Sequence, residues 1–194
     1  MKSMKMIILA SASPRRKALL EQIGLEFTVD DRVREDTEFV GQEPHHLARE
    51  ISLQKAESVA SRYQDAIIIA ADTFGVIDGH ITGKPRSESE ARAILTSLSG
   101  KSHTVITGFT VLDTLTRKAV SRSVETTVYM KRITKTEIEA YIQTGESLDK
   151  AGAYAIQGLG AVLVEKIKGD YFNITGLPLY ALAEVLKEFG VNVL

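Results

Sequence analysis

Two stretches of the chain are apolar at consecutive positions, residues 6–10 and residues 65–71 after Asp65. Both read as strands covered on both faces, as in a parallel sheet. The first stops at Ser11-Ala12-Ser13-Pro14. Ser13 stands at a helix N-cap position, and Pro14 takes the first helical position, whose N–H has no intrahelical partner to lose. The helix that follows is expected to bury Ala18, Leu19 and Ile23 along one stripe and to close at Gly24. Residues 27–29 make a short strand. Residues 44 to about 63 make a second helix, with Leu47, Ile51 and Val59 spaced by multiples of four and Ala48 and Ala56 beside them.

The second half changes rhythm. Residues 74–77 and 80–82 flank Asp78-Gly79, the strongest two-residue hairpin signal in the chain. Ser87 with Glu90 reads as a capping box opening a helix to Leu98, and Thr134 with Glu137 as another, opening a helix to Gln143 that closes at Gly145. Between them lie two long strands, 103–112 and 120–130, joined by a polar turn at 114–118. A glycine-spaced segment, 149–160, precedes an expected hairpin of 162–166 and 171–174 around Lys168-Gly169-Asp170. A last helix runs over 178–189 with Gly190 beyond it. The sum is an α/β chain whose mixed sheet is antiparallel in its middle section, which argues against a pure doubly wound fold.

Composition narrows the function. At 194 residues the chain suits one domain (1–194) or two small lobes, large enough to bury a self-sufficient core. It has no cysteine, which removes disulfides, thiolate zinc sites, iron–sulfur clusters and thiol nucleophiles together. Lys+Arg 24 against Asp+Glu 25 gives a net charge of -1, so no global field favours a long polyanion, and nucleic acid is not an expected partner. The apolar run at 6–9 is too short for a signal-peptide core, and no stretch approaches the ~18–20 residues that span a bilayer. The expectation is a cytoplasmic protein without a membrane partner.

Several positions offer chemistry, each with a plainer alternative. The turn Ser11-Ala12-Ser13-Pro14-Arg15-Arg16 puts hydroxyls, guanidiniums and free N–H groups at a helix start, which suits a phosphate chain or is simply a capped helix with two solvated arginines. Asp72, ending an apolar strand, either caps the next segment or stands at the carboxyl edge of the sheet, able to bind a cation or take a proton from water. Lys55 lies on the stripe of Ile51 and Val59, where it either snorkels to solvent or points into a polar interior site. Glu35 belongs to an acidic run that is mostly solvated surface. Lys84, in Gly83-Lys84-Pro85, sits on a turn that lacks the P-loop spacing. Gln157 is an amide among apolar and glycine neighbours; it is either a hydrogen-bonded loop residue or a reader of the O4 acceptor and N3–H donor of uracil or thymine. The four histidines form no ligand spacing.

Taken in order, seven segments resemble the Maf family of nucleoside triphosphate pyrophosphatases: residues 9–16, Ala71-Asp72-Thr73, Gly83-Lys84-Pro85, Leu98-Ser99-Gly100, residues 149–154, Ile156-Gln157-Gly158 and Gly176-Leu177-Pro178. They extend from residue 6 to about 180. Phe74-Gly75 departs mildly from the branched aliphatic residues common in the family. The resemblance implies an elongated mixed sheet with flanking helices, forming two lobes around a nucleotide cleft as in inosine triphosphate pyrophosphatases. It also implies hydrolysis of a nucleoside triphosphate between the α and β phosphates with a divalent metal, Mg²⁺ or Mn²⁺.

By the same resemblance Asp72 is the proton acceptor, and Glu35, Lys55 and Lys84 handle metal and phosphate, with Glu35 and Asp72 as the metal ligands. Ser13, Arg15 and Arg16 form the triphosphate clamp, Ser11 joins them in substrate binding, and Arg16, Thr73 and Gln157 are specificity positions. Gln in the Ile-Gln-Gly motif marks the branch acting on dTTP and UTP, where the 7-methyl-GTP branch has Glu. A homodimer, a house-cleaning role on modified nucleotides and a link to cell-division arrest are family-level expectations. The alternative is a non-catalytic nucleotide-binding regulator of cell division.

Overall fold

The computed structural model describes residues 5–34 and 43–194, and the two apolar runs lie side by side in it. The chain forms β1 (Met6–Ala10), α1 (Pro14–Gln22), β2 (Thr28–Val29), α2 (Pro44–Ala60), β3 (Ala66–Ile77), β4 (His80–Thr82), α3 (Glu88–Leu98), β5 (Ser102–Asp113), β6 (Ala119–Met130), α4 (Lys135–Gln143), β7 (Val164–Lys168), α5 (Tyr171–Thr175) and α6 (Leu179–Lys187). Short 3-10 turns occupy Glu146–Asp149, Ala151–Ala153 and Leu159–Leu163. Among the described residues the strands form a seven-stranded sheet in the order β2-β1-β3-β5-β6-β7, with β4 paired to β3. β1 is parallel to β2 and β3, whereas β3–β4 and β6–β7 are antiparallel, so the sheet is mixed as expected. No helix of the described residues is long and apolar enough to cross a membrane.

The chain divides into two compact units, one of residues 1–72, 107–124 and 176–194, the other of residues 73–106 and 125–175. In the first, Ala56, Val59 and Ala60 of α2 pack with Ile8 and Ala10 of β1, Ile68 and Ala70 of β3 and Leu112 of β5. α2 can approach because β5 carries Gly108: a Cβ built there would stand 2.0 Å from the Ala48 carbonyl oxygen, so any side chain would push the helix off the sheet. Polar pairs continue the contact, Ser52 with Thr110 and Thr110 with Ser121, each at 2.8 Å. In the second unit, Ala91, Leu95 and Leu98 of α3 and Ile138, Tyr141 and Ile142 of α4 share a core with Val105, Val128 and Met130.

The structure corrects several local expectations. Residues 171–174 are helical, not the second arm of a hairpin: Asp170 Oδ1 accepts from the N–H groups of Phe172 and Asn173, and the Asn173 amide donates to the Val105 carbonyl and Thr126. Those long-range bonds favour a turn of helix over the β propensity of Tyr and Phe. β3 does not end at Asp72 but continues to Ile77, since β4 pairs with Gly75–Ile77 and keeps the backbone extended. α1 buries Leu19 and Leu20, leaving Ala18 exposed, and α2 ends at Ala60, short of 63. Only one capping box closes. Thr134 and Glu137 cap each other, but the Glu90 carboxylate goes to the Arg86 N–H while Ser87 alone caps α3. The Asp78-Gly79 hairpin is as expected, with φ of 48° and 80° at the two turn positions.

Candidate active site

Ala10 of β1 stands opposite Ala70 of β3, so the turn after β1 and the residues after Ala70 leave the parallel pair at the same level. This carboxyl edge is where α/β sheets present ligand-binding loops. Ser13 has the extended backbone of an N-cap, yet its side chain makes no cap to α1. The buried Ser11 hydroxyl does the local work instead: its Oγ accepts from the Ser13 N–H and from Arg16 Nη1, both at 3.2 Å. Arg16 Nε donates to the Gly176 carbonyl at 2.8 Å. A guanidinium held through two of its nitrogens keeps a fixed plane, which is the condition for forked recognition of phosphate. Arg15 is half-buried one residue earlier. The start of α1 thus combines N–H groups without a side-chain cap, a serine hydroxyl and a positioned arginine. That set can hold an anion.

Lys55 resolves both of its alternatives together with Asp72. Its stem runs along the buried stripe of α2, and its ammonium meets Asp72 Oδ1 at 2.5 Å instead of reaching solvent alone. The side chains are 14% and 22% exposed respectively, so the pair is sheltered but not cut off from water. Asp72 lies within β3 and caps no helix. A sheltered carboxylate oriented by a cation can hold a water or a divalent ion.

Three predicted residues belong to the second unit. Thr73 follows Asp72 on β3, so the two side chains leave opposite faces of the strand. Lys84 is exposed on its turn, whose Gly83 carbonyl accepts from the Gly152 N–H at 3.2 Å. Gln157 is exposed in a turn closed by a bond from the Gly158 N–H to the Ala155 carbonyl. Ser11, Ser13, Arg15, Arg16, Lys55 and Asp72 therefore belong to the first unit, and Thr73, Lys84 and Gln157 to the second. Glu35 lies outside the described residues.

Two participants carried no role in the sequence. The Gly176 carbonyl that anchors Arg16 lies 160 residues away along the chain; the Gly-Leu-Pro motif marked the place but not the bond. Glu146 accepts from the Tyr141 hydroxyl at 2.7 Å and from the N–H groups of Leu159 and Gly160 at 3.2 and 3.0 Å. Burial alone would push its carboxyl up, but those three donors outweigh burial and hold it below the ordinary carboxylate range. His103 is buried, with Nε2 3.0 Å from the Tyr154 hydroxyl, and desolvation lowers its imidazole to about 4. It is neutral at pH 7. Among the described residues no group of three or more His, Cys, Asp or Glu is gathered to hold a metal.

A protein of Methanosarcina barkeri named dTTP/UTP pyrophosphatase is 48% identical over 191 residues, covering 98% of this chain and 97% of that one. One of the same name from Alkaliphilus metalliredigens is 52% identical over 196 residues, covering 98% and 100%. Among solved structures, the Staphylococcus aureus Ham1 protein matches 65% of this chain and 72% of its own at 14% identity and a TM-score of 0.47. The family model described as Maf-like protein matches residues 6–189, and the chain belongs to the Maf family.

Proposed function

We propose that this chain hydrolyses dTTP and UTP between the α and β phosphates, releasing the nucleoside monophosphate and pyrophosphate. The observation that carries the reading is the sheltered Lys55–Asp72 pair at the same sheet edge as the uncapped start of α1 and the anchored Arg16. Relatives at 48% and 52% identity bear the name dTTP/UTP pyrophosphatase over nearly their full lengths, which supports the same substrates here.

The triphosphate is held at the α1 start by N–H groups, the Ser13 hydroxyl, Arg15 and Arg16, with Arg16 pre-oriented by Ser11 and the Gly176 carbonyl. Asp72 accepts the proton of the attacking water. As the water oxygen bonds to the α phosphorus, the bond from that phosphorus to the α–β bridging oxygen breaks, and pyrophosphate leaves with its electron pair. Lys55 first orients the Asp72 carboxylate, then offsets negative charge developing on the phosphate oxygens. Lys84 is assigned to phosphate charge in the same way, and the Gln157 amide to the O4 and N3–H edge of the pyrimidine.

The donor set suits a divalent cation. Magnesium is commonly bound by one or two carboxylates plus substrate phosphates instead of an all-protein cage, and the part-exposed Asp72 carboxylate can supply one of them. Asp72, joined by Glu35, would hold Mg²⁺ or Mn²⁺, which supplies neutralisation of the triphosphate and its orientation. The test is a panel of nucleoside triphosphates assayed for pyrophosphate release with added Mg²⁺ or Mn²⁺. Turnover of dTTP and UTP well above that of purine nucleotides is expected. Binding without pyrophosphate release would replace the enzyme with a nucleotide-binding regulator, and equal turnover of all bases would remove the role given to Gln157.

A further inference from the structure

In the loop that carries Gln157, Ala155 is buried and Ile156 packs against the core of the second unit, whereas Gln157 and Leu159 beyond them are exposed. The far side of the loop is held by a carboxylate. Glu146 Oε1 accepts from the Leu159 N–H and Oε2 from the Gly160 N–H, so one side chain grips two successive amides, one with each oxygen. The Tyr141 hydroxyl, set in the α4 core, donates to Glu146 Oε2 at 2.7 Å and accepts from the Ala155 N–H at 3.1 Å. Residues 155, 159 and 160 are thus tied to one Tyr–Glu pair, with Gln157 at the crest between the ties.

The two loop glycines follow from the same contact. A Cβ on Gly158 would stand 1.7 Å from Glu146 Oε1, and one on Gly160 would stand 2.8 Å from the Tyr141 hydroxyl and 2.8 Å from the Ala155 carbonyl. The backbone lies directly on the carboxylate and the phenol, and no side chain fits between them. Hydrogen bonds to an ionised acceptor are about twice as strong as neutral ones, and a polar group that reads a base must be held to a fraction of an ångström to discriminate.

We propose that Glu146, braced by Tyr141, is a positioning residue for nucleobase selection: it fixes the 155–160 loop and thereby the Gln157 amide. The proposal rests on the reading of Gln157 as the base contact. Glu146 does not itself touch substrate. Its effect is on which base is accepted, not on how the phosphate chain is cleaved.

The test uses the full chain and the variants Glu146→Gln, Tyr141→Phe, Gln157→Ala and Glu146→Gln with Gln157→Ala. Each is measured for kcat and KM with dTTP, UTP and GTP, and for amide hydrogen exchange over residues 155–160. Glu146→Gln is expected to speed exchange in that segment and to lower the pyrimidine-over-purine ratio of kcat/KM about tenfold, mainly through KM, the scale of one discriminating hydrogen bond. Tyr141→Phe, which keeps the core volume, is expected to move both readouts in the same direction by less. The double variant should show no lower ratio than Gln157→Ala alone. Unchanged exchange in both Glu146→Gln and Tyr141→Phe would overturn the proposal. So would faster exchange with an unaltered base ratio in a background where Gln157→Ala does alter it. If Gln157→Ala leaves the ratio unaltered, the base-contact reading itself fails and the selection role falls with it, while the exchange data still show whether Glu146 holds the loop.

Discussion

Asp72→Asn replaces one oxygen by an amide nitrogen, keeps the shape and removes both the negative charge and the proton-accepting capacity. In the structure the cost falls on two readouts that can be separated. Stability loses the charge-assisted bond between Lys55 Nζ and Asp72 Oδ1, in a pair whose side chains are 14% and 22% exposed. The ammonium then faces a neutral amide but retains partial access to water, so the loss should be about 1–2 kcal/mol, well short of that for a fully buried charge left unpaired. For a domain of this size that is a fall of roughly 2–8 °C in Tm, which leaves the chain folded at 25 °C. Activity should fall much further. A positioned general base contributes about 10²–10⁴ in rate, so kcat for dTTP should drop by at least about a hundredfold. Circular dichroism melting and pyrophosphate release from dTTP with Mg²⁺, measured on the same preparation, check both numbers. A folded Asp72→Asn protein that turns over dTTP within tenfold of the parent would refute Asp72 as base and move the search to another carboxylate, with Glu35 first.

Two further outcomes follow from particular contacts. Gln157→Glu puts an acceptor opposite the pyrimidine O4 where the amide N–H stood, so kcat/KM for dTTP and UTP should fall about 10- to 100-fold with less change for nucleotides that present a donor there; steady-state kinetics across the nucleotide panel measures it. His103 tests the burial argument through pH: its imidazole is lowered from 6.5 to about 4 in the folded chain, so the unfolded chain takes up a proton first as pH falls. Stability is therefore complete above pH 6.5 and declines between 6.5 and 4, by about 2 kcal/mol at pH 5 for this one group. Urea unfolding of the parent and His103→Gln should show their stability difference narrowing from pH 7 to pH 5; a constant difference would mean that the histidine is not held neutral.

What the sequence determined by itself is the set of elements whose signal is local. The apolar runs of β1 and β3 and the four-spaced stripe of α2 state their period within a few residues, and Asp78-Gly79 supplies both positive φ values of its turn. The motif order marks Asp72 and the α1 start, and its place on the apolar stripe marks Lys55, as candidates for chemistry. Elements decided by distant partners were not legible. Residues 171–175 turn helical because Asn173 finds the Val105 carbonyl and Thr126, and β3 runs on through Asp72 because β4 pairs beyond it. Whether Lys55 snorkels or points inward depends on a carboxylate 17 residues away, and the plane of Arg16 on a carbonyl 160 residues away. The grip of Glu146 on the Gln157 loop is of the same kind: donor and acceptor types can be read along the chain, but a hydrogen bond needs both within about 3 Å, and only packing sets that distance.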